Sequence, residues 1–175
     1  MPATPAMTIH DQRRLVRQLL DDASPTDAPT AYYALFHPAG RSALATRADD
    51  QGRALGFAGR FQTGLDLFRP LITLSSRSAE VAADLLAELL QPGHPYILFA
   101  DLTQMPLVGG SLRTLHEQIL RVYRLDVARF QPEINVLVQC AQGPDGQPRC
   151  RIESGGLQAV AGLNWQSPAF AEVFV

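Results

Sequence analysis

The chain has 175 residues, of which 46% are hydrophobic and 18% are charged, and its formal net charge is −2. The apolar fraction is large enough for a buried core, and the near-neutral charge offers no general attraction for nucleic acid or an anionic membrane, so we expect neither partner. All 15 basic residues are arginine, which excludes a lysine Schiff base, a lysine nucleophile and the phosphate-binding lysine of Walker-type loops.

Membrane segments, targeting signals and metal ligands are not indicated. No stretch approaches ~20 consecutive apolar residues, and the start of the chain lacks the charged-then-apolar order of a secretory signal. We therefore expect a soluble, cytoplasmic protein. The four histidines are scattered, with no pair at metal-ligand spacing, so we expect surface or capping roles for them and no bound metal. They are His10, His37, His94 and His116.

The two cysteines flank a turn. Cys140 and Cys150 lie almost symmetrically about residues 143–146, which read Gly-Pro-Asp-Gly, and we expect them to face each other across a hairpin. In a reducing cytosol two free thiols are favoured over a disulfide. Two thiols without a nearby histidine do not make a zinc site.

The N-terminal half is predicted to hold two helices followed by three antiparallel strands. Apolar residues at helical spacing predict a first helix from Thr8 to near Asp22, and a second, short helix is predicted over residues 30–36. Asp66 and Arg69 flank a turn in the strand region and are expected to pair with each other. The strands are expected at residues 42–48, 56–63 and 68–74.

The next helix, from Ser78 to Leu90, is predicted to be mostly buried against the sheet through Leu85 and Leu86. Its charged residues recur at every fourth position and form one narrow stripe that faces water, made by Glu80, Asp84 and Glu88. A short apolar strand is expected at 96–100, where the crossover implies parallel pairing with strand 68–74. The predicted fold class is therefore α/β, with a mixed sheet of antiparallel N-terminal strands and a parallel strand pair around a central helix.

The C-terminal third is predicted to contain one helix and several strands. Leucine, isoleucine and valine residues at helical spacing predict a helix over 111–125. Trp165 is expected either to line a pocket or to anchor a hairpin to the body of the protein. Strands are expected at residues 134–140, from Cys150 to Glu153, at 157–163 and at 170–175.

This order of elements resembles the GNAT superfamily of N-acetyltransferases, and the resemblance covers most of Thr8 to Cys140. The pattern begins again at Arg151, where RIESGGLQAVAG repeats a glycine-containing strand like GFAG at 56–59. By this resemblance, residues 1–150 are a GNAT-like unit, and residues 151–175 are the opening strands of a second unit. The chain ends at Val175, before a second cofactor loop would occur.

In the family, an Arg/Gln-x-x-Gly-x-Gly/Ala loop before the central helix holds the pyrophosphate of acetyl-CoA through backbone N–H groups. The matching segment, residues 74–80, reads LSSRSAE and contains no glycine. Glu80 also competes for the positive end of the helix. The resemblance assigns cofactor contacts to Leu74, Ser76, Arg77 and Ser78, and a general-acid position to Tyr123. We expect weak or absent acetyl-CoA binding.

The sequence leaves two functions open. The first is an acetyl-CoA-dependent N-acetyltransferase, or part of one. The second is a non-catalytic GNAT-like module for dimerisation, substrate capture or regulation. The expected partner is either another copy of the chain, in a homo-oligomer, or a catalytic GNAT unit.

Overall fold

The structure is a computed structural model that describes residues 7–64, 66–133, 136–144 and 146–174. It divides into two compact units, residues 1–121 and 122–175. The first unit is a mixed four-stranded sheet with helices on both faces, and the second contains an antiparallel four-stranded sheet. The α/β class with a mixed sheet is therefore confirmed.

Helix α1 (Ile9–Val16) begins where Thr8 Oγ1 accepts a hydrogen bond from Asp11 N at 3.2 Å. The helix is shorter than the predicted span to Asp22. Beyond Val16 the chain tightens into turns, in which Gln18 N donates to Leu15 O at 3.0 Å and Leu19 N donates to Val16 O at 2.9 Å, each three residues back.

Helix α2 (Ala28–Ala31) runs directly into a π-helical turn at Tyr32–Phe36. Together they confirm the predicted short helix, although its second half has the wider π geometry. The turn ends at His37 because Pro38 follows, and a 3₁₀ turn at Ala39–Arg41 leads into the sheet.

The sheet of the first unit has the order β1-β2-β3-β4. The first three strands pair antiparallel, and β3 pairs with β4 in parallel through Leu71 with Ile97 and Ile72 with Leu98. The predicted parallel pairing across the central helix is confirmed. The strands are β1 (Ser42–Ala48), β2 (Ala54–Phe61), β3 (Leu71–Ser76) and β4 (Ile97–Leu98).

Helix α3 (Ala79–Leu89) packs its apolar side on the sheet, as the sequence predicts. Leu85 and Leu86 are buried together with Ile72 and Leu74 of β3. The acidic stripe is exposed, and its last member, Glu88, pairs with Arg47 of β1 at 2.8 Å. The predicted pair between Asp66 and Arg69 is also present, with Nε and Oδ2 2.7 Å apart.

The opposite face of the sheet is covered by α1, α2 and the π-helical turn. Val16, Ala34 and Leu35 pack there around Phe57 of β2. After β4, a 3₁₀ turn (Leu102–Gln104) and helix α4 (Met105–Val108) return to the α3 face, where Val108 is buried.

The predicted helix over 111–125 is wrong. Residues 112–126 have no regular secondary structure, and nearly all are exposed. Helical spacing indicates an amphipathic segment, but an amphipathic helix gains most of its stability by packing its apolar face. The apolar residues of this segment, from Leu115 to Leu125, remain exposed and have no such packing.

The second unit is a meander with the order β5-β6-β7-β8. The predicted strand at 134–140 starts later than expected, and its first two residues, Ile134 and Asn135, lie outside the described residues. A tight turn at Gly155 and Gly156, with φ of 58° and 81°, joins β6 to β7. The strands are β5 (Val138–Gln142), β6 (Pro148–Ser154), β7 (Leu157–Ser167) and β8 (Phe170–Phe174).

Cys140 and Cys150 form a disulfide, so the expectation of two free thiols is wrong. The predicted position across a hairpin is confirmed, because the two residues are direct partners in the β5–β6 ladder with Cα atoms 4.1 Å apart. Register therefore brings the two sulfur atoms together. The predicted boundary between the two GNAT-like units, after residue 150, lies inside β6.

Candidate cofactor-binding turn before helix α3

The segment from Ser75 to Ser78 holds the end of β3 and the turn into α3, and it is the place where the family resemblance puts a cofactor loop. Ser78 is the N-cap of α3, with an extended backbone at φ −150° and ψ 159°. Its Oγ accepts a hydrogen bond from Val81 N at 3.3 Å. The side chain therefore satisfies one of the N–H groups that a helix N-terminus would otherwise offer to an anion.

The backbone N–H groups of the turn also have acceptors within the protein. Ser76 N donates to Gln104 Oε1 at 2.8 Å, and Arg77 N donates to Leu55 O at 3.1 Å. Ser78 N lies 3.4 Å from Ser76 Oγ, and that hydroxyl donates to Ser78 O at 2.8 Å. Three consecutive donors that could have pointed at a phosphate are thus used to close the turn.

Gln104 reaches the turn because the chain after β4 is itself held by a side-chain cap. Asp101 accepts hydrogen bonds from the Thr103 hydroxyl at 2.6 Å and from Thr103 N at 2.8 Å, which begins the 3₁₀ turn that carries Gln104. Those two bonds lower the pKa of the Asp101 carboxyl. No sequence pattern points to Gln104, because its partner lies 28 residues away.

The neighbouring strand β2 is packed tightly against the turn at Gly56. A Cβ atom built there would lie 2.9 Å from Val81 Cγ1 and 3.1 Å from both Ser75 O and Ser76 Oγ. A side chain at this position would therefore clash with the turn and the first turn of α3. Gly56 brings β2 close enough for Leu55 O to accept from Arg77 N.

The four residues predicted to contact the cofactor differ in whether their side chains can reach a ligand. Leu74 is 1% exposed and belongs to the core against α3, so its side chain cannot reach a ligand. Ser76 is buried, and Ser78 is used as the cap. Arg77 is exposed, so its guanidinium can meet an anion in solvent. Glu80 is also exposed, in the first turn of the helix, and offsets that positive charge.

The remaining predicted site residues lie in the second unit. The ring of Tyr123 is 84% exposed on the irregular segment. An exposed phenol in irregular backbone lacks the fixed geometry that general-acid catalysis needs. The side chain of Trp165 lies outside the described part of the chain.

His37 is the histidine with the most developed surroundings, and it is buried rather than at the surface. Its Nδ1 lies 2.9 Å from Ser42 Oγ, which donates to Pro38 O at 2.8 Å. Because the serine proton is used in that second bond, the imidazole donates from Nδ1 and Ser42 is not activated as a nucleophile. Burial, followed by the charges of Arg41 and Arg13, lowers the pKa of His37. The neutral ring joins the π-helical turn to β1.

Within the described ranges, no three His, Cys, Asp or Glu side chains gather as a metal site. None of the helices in that same part of the chain has the length and apolar character needed to cross a bilayer. Comparisons with protein-family models, with curated proteins and with solved structures give no significant match to this chain.

Proposed function

We propose that this chain is a GNAT-like module that does not itself catalyse acetyl transfer and that serves in dimerisation, substrate capture or regulation of a catalytic partner unit. The observation that carries the proposal is the set of internal hydrogen bonds at the turn before α3. Ser76, Arg77 and Ser78 have their N–H groups paired with Gln104, Leu55 and the Ser76 hydroxyl.

The GNAT-like part of the proposal is supported by the order and pairing of elements. Two N-terminal helices precede three antiparallel strands, and a central helix then leads to a short parallel strand. The β3–β4 pairing covers only two residue pairs, and beyond it Gln104 bonds to the end of β3. The proposal extends to residues 151–175 as the opening strands of a second GNAT-like unit.

The non-catalytic part follows from the energetics of phosphate binding. Hydrogen bonds to a charged group contribute about 1.5–3 kcal/mol each, so losing several of them moves a micromolar ligand toward millimolar affinity. Glycine would allow successive N–H groups to approach a pyrophosphate closely, and residues 74–80 contain none. The pantetheine arm of acetyl-CoA would have only the short part of β3 beyond its two pairs with β4, where Gln104 already takes the Ser76 N–H, so that contact alone is weak.

The cytoplasmic location expected from the sequence stays a prediction. The Cys140–Cys150 disulfide argues against it, because structural disulfides are rare in reducing compartments.

Titration calorimetry with acetyl-CoA tests the proposal. We expect no binding in the low-micromolar range for the full chain. The matched variants are Arg77→Ala, at the turn, and Arg14→Ala, whose exposed side chain lies on α1. Low-micromolar binding that Arg77→Ala abolishes and Arg14→Ala preserves would overturn the non-catalytic assignment and restore the acetyl-CoA-dependent transferase.

A further inference from the structure

The sheet of the second unit has one apolar face and one charged face. Residues paired directly across an antiparallel ladder share a face, and successive residues alternate. Register therefore puts the Cys140–Cys150 disulfide on the same face as a set of apolar side chains that we call the apolar sheet face. These are Val138, Ile152, Leu157, Ala161, Leu163 and Val173.

The opposite face carries the charges. Arg149 bonds to Asn164 Oδ1 at 3.1 Å, and Arg151 Nε lies 3.6 Å from a Glu153 oxygen. Glu172 pairs with Asn164 across β7 and β8 and so lies on this face too. Water solvates the charged face, whereas the register brings no charged residue onto the described part of the apolar sheet face.

None of the described side chains of the second unit is buried. Leu157 is 79% exposed and Val173 is 68% exposed, although both belong to the apolar sheet face. An isolated sheet with an uncovered apolar face is marginal in water and becomes stable when that face is covered. The neighbouring residues 122–133 are themselves exposed and so do not cover it.

We propose that the apolar sheet face packs against the same face of a second copy of this chain, forming a two-sheet sandwich. A face without charge pairs with itself without placing like charges together. The small residues Ala159 and Ala161 lie in the middle of the sheet, and the larger Leu163 and Ile152 lie beside them. A two-fold axis lets the large side chains of each copy fill the space over the small ones of the other.

The area agrees with such a dimer. Four strands about 4.8 Å apart and about seven residues long give a face of roughly 450 Å² per copy. Pairing two copies buries about 1,000 Å² in total once side-chain relief is included, which is near the lower bound for a specific interface. An interface of this size is at the weak end for protein pairs, so the test covers micromolar concentrations. The apolar sheet face would be the surface used for the dimerisation role, and this assignment rests on the proposed function.

Analytical ultracentrifugation of the full, disulfide-bonded chain without acetyl-CoA tests the dimer separately from cofactor binding. Between about 1 and 100 µM we expect the mass to rise from the 19.1 kDa of one chain toward twice that value. Leu157→Asp and Val173→Asp are expected to keep the chain monomeric at tenfold higher concentration. The control Val160→Asp, on the charged face and 41% exposed, is expected to dimerise like the unchanged chain.

The two test residues are so exposed in a single chain that their replacement has little to disturb within it, and circular dichroism is used to check that each variant is folded. A chain that is still monomeric at 100 µM would overturn the proposal. That result would mean that another segment of the chain covers the apolar sheet face. A dimer that both variants leave intact would also overturn it, because the contact would then lie at a strand edge or on the first unit.

Discussion

The side-chain oxygen of Gln104 accepts a hydrogen bond from the backbone nitrogen of Ser76 over 2.8 Å. Ser76 is buried at the end of β3, and Gln104 reaches it from the 3₁₀ turn after β4. A protein side chain thus takes the acceptor position that a ligand would occupy at the first N–H of the turn. The bond also ties the end of β3 to the segment that leads into α4.

Replacing Gln104 by alanine leaves the Ser76 N–H without its acceptor. We expect Gln104→Ala to lower the free energy of unfolding by about 1–3 kcal/mol, the range for a buried donor left unpaired. Gln91→Ala, at an exposed position, is the control and is expected to stay within about 0.5 kcal/mol of the unchanged chain. Urea denaturation measures both, and equal effects would mean that the bond contributes nothing.

The buried face of α3 gives a second prediction. Leu85 is 0% exposed and packs in the core, so Leu85→Ala is expected to cost about 2–5 kcal/mol through lost burial and a cavity. The adjacent Asp84 is exposed on the acidic stripe, and Asp84→Ala is expected to stay within about 0.5 kcal/mol. If chemical denaturation ranked Asp84→Ala as the more damaging change, the face assignment would be reversed.

His37 gives a pH dependence. Burial lowers its pKa in the folded protein, so the unfolded chain binds the proton more readily. The stability that the neutral ring contributes is complete above the unfolded pKa of about 6.5 and is lost as the pH falls through the lower, folded value. Thermal unfolding between pH 7.5 and 5 is expected to show this loss, and His37→Gln is expected to flatten the profile.

The carboxyls of Asp66 and Asp49 do not interfere in that pH range. Hydrogen bonds, chiefly from the Phe68 N–H to Asp66 and from the Arg53 N–H to Asp49, lower the pKa of these groups. Their contribution is lost only below about pH 4. A profile that is flat from pH 7.5 to 5 in the unchanged chain would contradict the buried, neutral state of His37.

The helices and strands of the first unit were largely predictable because burial there leaves a regular sequence pattern. The stripe of Glu80, Asp84 and Glu88 identified the exposed face of α3, and the apolar run at 96–100 identified β4. The helix predicted over 111–125 is wrong because helical spacing identifies an apolar face but does not show whether anything packs against that face. Gln104 was not predictable, because its contact with Ser76 depends on the path of the folded chain.

The disulfide gives a prediction for the second unit. It closes a loop of ten residues in a sheet without buried side chains among those described, so removing it widens the unfolded ensemble. The double variant Cys140→Ser with Cys150→Ser is expected to lower the stability of this sheet by roughly 2–3 kcal/mol. Amide exchange checks it: β5–β6 amides should exchange faster, and β1–β2 amides, in the other unit, should not change. Unchanged exchange in β5–β6 would contradict the prediction.

The central claim is that the N–H groups before α3 are used within the protein and do not hold acetyl-CoA. The most direct measurement follows the backbone amide resonances of Ser76, Arg77 and Ser78 by NMR during titration with acetyl-CoA. We predict that these resonances keep their positions until the ligand reaches millimolar concentration. Shifts of the Ser76 and Arg77 amides that saturate at low-micromolar acetyl-CoA would contradict the account, because they would show a phosphate displacing Gln104 and Leu55.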